Sequence, residues 1–411
     1  FTQNQKKKQG RTPLLDLRGQ LGLMFLKAYT GYSDQQLIER LNTDYTFQFF
    51  CGIYISPEHR FRDSKIVSKI RCRLAGQLCV DDFQQVLADH WQPYLNHVNV
   101  MLSDATCYET QMRYPTNVKL LWECCQWVYG QMRRINKHLR GAMPRSKFAE
   151  QKLKYLTYQK KRKKTYKETR KRIRSLLYLL NKLLGQLEDL EDRLPDEVAM
   201  PASFYKRRDT IRRINDQQHR WFETGEKPAN VILSIQKSYI RPIVRGKETR
   251  RVEFGAKVNH IQVGGINFID HLSFDAFHEG NRLIPAIQKT QSLSGKSCTH
   301  VGADAIYATN ANRKYCTANG ITTGFKRKGR AGKQEKQRRQ MSSILSKERS
   351  TRLEGSFGTE KEHYSLNRIR ARTQQTEILW IVFGVHTANA MRMRQKMLSD
   401  QHGSPPSQQV A

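Results

Sequence analysis

The stretch Val98-Asn99-Val100-Met101-Leu102-Ser103-Asp104-Ala105-Thr106 is a short apolar run that closes on an aspartate. Its composition predicts a core strand. A carboxylate at the carboxyl end of such a strand points into the crevice where open α/β sheets place their chemistry. An isolated aspartate in that position more often just opens a turn, so the reading turns on whether a second acid-tipped strand exists. Cys298-Thr299-His300-Val301-Gly302-Ala303-Asp304-Ala305-Ile306-Tyr307 repeats the pattern far downstream. Between the two, residues 239–244, 252–261 and 266–272 alternate in the manner of strands, with turns at Gly246 and at Gly264-Gly265, and predict three antiparallel strands. A helix around Leu283, Ile284 and Ile287, another from about Asn310, a last strand over 321–325 and a long apolar helix over 378–391 complete a mixed α/β sheet with helices.

The chain has 411 residues, with 72 Lys and Arg against 37 Asp and Glu, a formal charge of +35. Such an excess repels itself in a compact state and is easiest to understand if a polyanion neutralises it, which makes nucleic acid the first partner to consider. No apolar run approaches the roughly 20 residues of a spanning helix, so no membrane partner is expected. The eight cysteines form no CxxC pair and indicate neither a zinc site nor a disulfide framework. They read as thiols of a reducing compartment, and with no signal-peptide pattern in view the expected location is cytoplasmic.

Ahead of the first strand, a basic arm over residues 1–12 carries Lys6, Lys7, Lys8 and Arg11, and apolar residues then recur at helical spacing from Pro13 through Ala28. A second helix opens at Ser33, with Gln36 completing a capping box. Residues 64–91 predict one or two more helices. Residues 1–95 are thus expected to form an all-helical N-terminal domain that binds DNA, although short helices of this kind can also serve only for packing.

Residues 133–233 break the α/β pattern. Between Lys152 and Arg174, twelve Lys or Arg meet a single acid, Glu168. Ile173, Leu176, Leu180, Leu183, Leu187, Leu190 and Leu194 then follow alternating steps of three and four, a coiled-coil seam stopped by Pro195. The seam could join two copies of the chain or fold back on its own neighbours. The segment reads as a basic helical insertion into a domain made of residues 96–132 and 234–395, with a Gly/Ser/Pro-rich disordered tail over 396–411.

The third acid is found in Arg352-Leu353-Glu354-Gly355-Ser356-Phe357-Gly358-Thr359-Glu360-Lys361, where Glu354 and Lys361 lie two helical turns apart on one face. Alone they could be a solvated surface pair. Glu360 projects elsewhere on the helical period, Glu362 shares that helix, and Glu253, Asp270, Asp275 and Glu279 read as structural acids. His278 and His363 are candidates for DNA contact, though lone histidines usually satisfy something local. The basic loop over 326–339, with Lys326, Arg327, Lys328 and Arg330, and the 152–174 run fit a phosphate-tracking surface.

With acids at three stations of this topology, the chain resembles the ribonuclease H-like superfamily, and within it the DDE transposases of bacterial insertion sequences. The resemblance rests on Leu102-Ser103-Asp104-Ala105-Thr106, residues 241–247 and 252–258, Gly302-Ala303-Asp304-Ala305-Ile306-Tyr307 and residues 354–361, with a fair match over 15–42. It implies a ribonuclease H-like catalytic domain in which Asp104, Asp304 and Glu354 are catalytic and hold two Mg²⁺ ions, or Mn²⁺, about 3.5–4 Å apart. Lys361 matches a lysine that the family places seven residues after the glutamate to contact DNA. Some branches carry an arginine four residues before the glutamate. Here that position is Ser350, with Arg349 and Arg352 beside it as candidate DNA contacts. The implied function is a DNA transposase that cuts transposon ends and joins the 3′-hydroxyl to target DNA, acting as a homodimer or higher assembly in a bacterial cytoplasm and associated with the nucleoid. The alternatives are a ribonuclease H-like nuclease without strand transfer and a non-catalytic DNA-binding protein.

Overall fold

A computed structural model describes residues 15–195, 197–244, 252–330, 332 and 334–401. The 1–12 arm, Pro13, the Gly246 turn with its neighbours 245–251, and residues 402–411 of the tail lie outside the described residues. The chain divides into two compact units, residues 1–111 with 256–411 and residues 112–255. The second is wider than the 133–233 segment at both ends.

In the first unit, α1 (Leu17–Thr30), α2 (Asp34–Thr43), α3 (Tyr45–Phe50), α4 (Lys65–Gln77) and α5 (Val80–Trp91) precede β1 (Val100–Glu109). The caps are written in the sequence. The Asp16 carboxylate accepts from the Gly19 amide, and Ser33 with Gln36 forms the expected capping box. Leu23, Leu37, Leu41 and Leu74 of these helices are buried with Leu379 and Phe383. Those two residues belong to α14 (Gln374–Gln401), so the last helix closes the core of the first ones. It runs beyond the expected 378–391 and takes in residues 396–401 of the segment read as tail.

The second unit holds α6 (Asn117–Leu139), α7 (Phe148–Lys160), α8 (Tyr166–Glu191), α9 (Ala202–Thr224) and β2 (Pro242–Val244), which pairs antiparallel with the start of β3 (Val252–Val263). Glu168, the lone acid of the basic run, completes a capping box with Thr165 and pairs with Lys161 at 2.5 Å. Its place is therefore explained by the start of α8. The leucine seam of α8 is buried inside this unit among residues of α6 and α9, including Leu121, Val128, Ile211 and Ile214. The buried stripe also takes in Leu177, Leu179 and Leu184, wider than a two-stranded seam and typical of a helix packed on several neighbours. Within this chain the seam is therefore not free to join a second copy.

Back in the first unit, β4 (Ile266–Ser273), α10 (Leu283–Ser294), β5 (His300–Ala303), α11 (Asn310–Ala318), β6 (Thr322–Thr323), α12 (Glu335–Glu348) and α13 (Gly355–His363) complete the chain before α14. The strand order is β4-β3-β1-β5-β6. β3 and β4 are antiparallel, joined by Gly264 and Gly265 at φ 56° and 83°, the left-handed backbone that a two-residue hairpin needs. β1, β5 and β6 are parallel. This mixed sheet with helices, behind a helical N-terminal region, fits a ribonuclease H-like domain. The predicted strand at 321–325 shrinks to two residues, because only His300 and Val301 offer partners.

Leu183 is fully buried, so Leu183→Ala should cost about 2–5 kcal/mol. Urea unfolding of the full chain should show this loss equally at low and high protein concentration. A loss that appears only at high concentration would place the seam between two copies instead.

Candidate active site

The register of β1 against β5 sets the geometry. Leu102 pairs with Gly302 and Ser103 with Ala303, so Asp104 and Asp304 follow side by side where the ladder ends. Neighbouring strands lie about 4.8 Å apart, and residues two apart share a face. Both aspartates therefore leave the sheet on the face carrying Leu102 and Gly302. Gly302 is required there, since a Cβ would fall 2.7 Å from Leu102 Cδ2 and 3.1 Å from the Leu345 carbonyl oxygen. That close approach seats α12 over the strand ends. Leu353 and Phe357 then close a small apolar cluster on Leu102, which brings the intervening Glu354 down toward Asp104.

Two expectations change in detail. Asp104 does not end its strand: β1 continues to Glu109, burying Thr106, Cys107 and Tyr108, and only the pairing with β5 stops at Ser103. Glu354 sits at the end of a π-helical segment, Arg349–Glu354, that runs into α13. Glu354 pairs back with Arg349 and Lys361 reaches Thr106, so the two side chains find separate partners.

Arg349 joins the acids. Its Nη1 lies 2.5 Å from Asp104 Oδ2 and 2.6 Å from Glu354 Oε1. Asp104 also accepts from the Ala105 amide at 2.8 Å, and Asp304 does the same with the Ala305 amide at 2.5 Å. Burial pushes the Asp104 carboxyl up to about 6, with Arg349 opposing the shift and the charges of Glu354 and Glu279 adding to it. Among the described residues, no group of three His, Cys, Asp or Glu is arranged to hold a metal ion.

The remaining candidates divide. Lys361 Nζ donates to Thr106 Oγ1 at 2.9 Å and lies 5.8 Å from the Tyr108 ring centroid. Arg352 pairs with Glu348 at 2.7 Å and stays exposed. Lys326, Arg327, Lys328 and Arg330 are exposed on the loop after β6, away from the acids in sequence but leading into α12. Asp270 is held by both nitrogens of the Arg282 fork, and Glu279 pairs with Lys257 at 2.7 Å, in keeping with structural roles.

Sequence reading missed a buried network behind the site. Glu360 is fully buried and accepts from Tyr108 Oη at 2.5 Å and from Asn267 Nδ2 at 2.6 Å, while Asn267 also reaches Ser356. Burial raises the Glu360 carboxyl and pushes His260, 3.0 Å from the same tyrosine, down to about 3. The signal available was that Glu360 lies on the face of α13 opposite solvent. Its partners on β1 and β4 are not readable from local spacing.

An acid-bearing pair of strand ends on β1 and β5, covered by a helix with a third acid, fits a ribonuclease H-like domain. Residues 301–388 match a family model described as Transposase DDE domain, and residues 1–73 match one described as Transposase domain (DUF772). The two matches support a DDE transposase of an insertion sequence. The first takes in Asp304, Glu354 and Lys361 and begins after Asp104. No curated protein and no solved structure matches the chain. Among the described residues, no helix is long and apolar enough to cross a membrane.

The raised Asp104 carboxyl makes a prediction with a definite sign. Between about pH 4 and 6 the folded protein keeps a proton that the unfolded chain releases, so stability from this group is present below that window and lost as pH rises through it. In protein free of divalent ions, Asp104→Asn should therefore raise stability at pH 7 by about 1–3 kcal/mol and flatten its dependence on pH from 4 to 6. Denaturation across that range checks both.

Proposed function

We propose that this chain is a DNA transposase that cuts transposon ends and joins the freed 3′-hydroxyl to target DNA, with Asp104, Asp304 and Glu354 as its catalytic and metal-holding residues. The observation that carries the reading is the register that sets Asp104 beside Asp304, with Glu354 drawn to the same face by Leu353 on Leu102.

The donor set suits a hard divalent cation such as Mg²⁺ or Mn²⁺, because all three donors are carboxylates. The space between Asp104 and Glu354 already attracts a positive group, the Arg349 guanidinium. A pair of ions bound by these acids would supply activation of the attacking oxygen and stabilisation of the leaving one. The protein's own groups do the rest. Arg349 keeps two carboxylates from repelling each other. Lys361, braced by Thr106, offers a positive charge beside β1 to a DNA phosphate. Arg352 and the loop cations Lys326, Arg327, Lys328 and Arg330 face solvent as further phosphate contacts. The helical N-terminal region is assigned to DNA binding, and the basic run of α7 and α8 in the 133–233 insertion to a second stretch of backbone. Action on two ends calls for a homodimer or higher assembly on DNA.

Incubated with Mg²⁺ and the duplex DNA that flanks its own reading frame, the protein should nick that DNA, and a pre-cut end should be inserted into a supercoiled plasmid. Cleavage without insertion would reduce the reading to a nuclease. Asp304→Asn should abolish cleavage by at least about 100-fold while sparing DNA binding in a mobility-shift assay. Undiminished cleavage by that variant would overturn the assignment of the acids.

A further inference from the structure

A cavity of about 530 Å³ opens between the loop after β6 and α12. Lys326 and Arg327 line it from the loop, and Arg338, Arg339 and three serines line it from the helix. Among the described residues, Glu335 is the only acid in the lining, and it is already engaged, pairing with Arg338 at 2.7 Å and Arg339 at 3.1 Å. These arginines, Arg338 first, hold its carboxyl down at about 2. Four cations against one carboxylate leave the cavity positive.

The serines give the cavity its shape as a receptor. Ser342 donates to the Gly324 carbonyl at 2.7 Å, which fixes the helix to the strand end, while Ser343 and Ser346 are exposed. At 100° per residue, Arg338, Arg339, Ser342 and Ser346 fall within about 100° of arc on α12. One face of α12 thus carries cations and hydroxyls, and the helix runs on directly into Arg349, the arginine touching Asp104 and Glu354. A surface ion cluster would need neither the cavity nor this face.

We infer that this cavity is a phosphate-holding station for one strand of DNA, gripping the sugar–phosphate backbone a few nucleotides from the bond cut at the acids. It rests on the reading of those acids as the cutting site. Charged and hydroxyl donors without an apolar floor recognise phosphates and not bases, so the grip is independent of sequence.

The test is the salt dependence of binding to a fluorescein-labelled 30-base-pair duplex of arbitrary sequence, read by anisotropy. Arg327 and Arg339 are exposed, so their replacement leaves the fold intact. Arg327→Ala with Arg339→Ala should reduce the slope of log K against log salt by about 2, each phosphate contact contributing about 0.9. Ser346→Asp, which keeps every cation but places a negative charge in the cavity, should weaken binding by about tenfold at low salt. Wild-type slope in the double variant, or undiminished affinity in Ser346→Asp, overturns the station. Asp304→Asn should bind with the wild-type slope, so failure of the station is distinguishable from failure of the catalytic reading, which shows in cleavage.

Discussion

The parallel pairing of residues 100–103 with 300–303 governs the candidate site, because a strand slipped by one residue turns all its side chains to the opposite face. A one-residue slip of β5 would send Asp304 away from Asp104 and put Val301 where Gly302 must be. Leu102 fills the space that Gly302 leaves, and Ser103 Oγ donates to the His260 carbonyl at 3.1 Å, tying β1 to β3 on its other edge. The apolar side of the pairing, Met101 and Val301, is fully buried. Register is therefore fixed by shape on one face and by burial on the other, before any charge is considered.

Charge works against the arrangement. Two acids on adjacent strands with a third above them repel, and burial of Asp104 adds to the cost. Apolar contact of Leu353 and Phe357 with Leu102 holds the covering helix in place, and the Glu360 network holds it from the far side. Glu360 has both oxygens bonded, which lets a buried carboxyl specify position, where an unpaired one would only destabilise. The helix is clamped at Leu353 and at Glu360, so the exposed Glu354 between the clamps is carried by groups that take no part in its chemistry.

What could be read from the sequence was local. Asp104 and Asp304 showed themselves by ending apolar runs, the hairpin by Gly264-Gly265, and α2 by its capping residues. The unreadable parts depend on pairing across long separations. Arg349 and Asp104 lie 2.5 Å apart in space but belong to distant elements, so the choice between Arg349 and Arg352 could not be made by counting. Glu360 looked like a bystander because its helical angle gave its direction but not what filled it. The leucine seam of α8 read as a coiled-coil seam because its heptads are regular, with its partner, a second copy or its own neighbours, left open. The added burial of Leu177, Leu179 and Leu184 depends on neighbours that the seam itself does not announce.

The distribution of charge has a consequence of its own. Several acids among the described residues are committed: Glu168 caps α8, Asp270 holds Arg282, Glu335 gathers the arginines of α12, and Asp104 and Glu354 share Arg349. The exposed cations of the 326–330 loop and of the 152–174 run share those segments with a single acid, Glu168. Surface ion pairs contribute little to stability, so those cations are not retained for the fold, and their mutual repulsion opposes it. The excess makes physical sense only as half of an interface whose other half is a polyanion, and the cavity beside α12 is where that excess, a row of hydroxyls and the approach to the acids coincide.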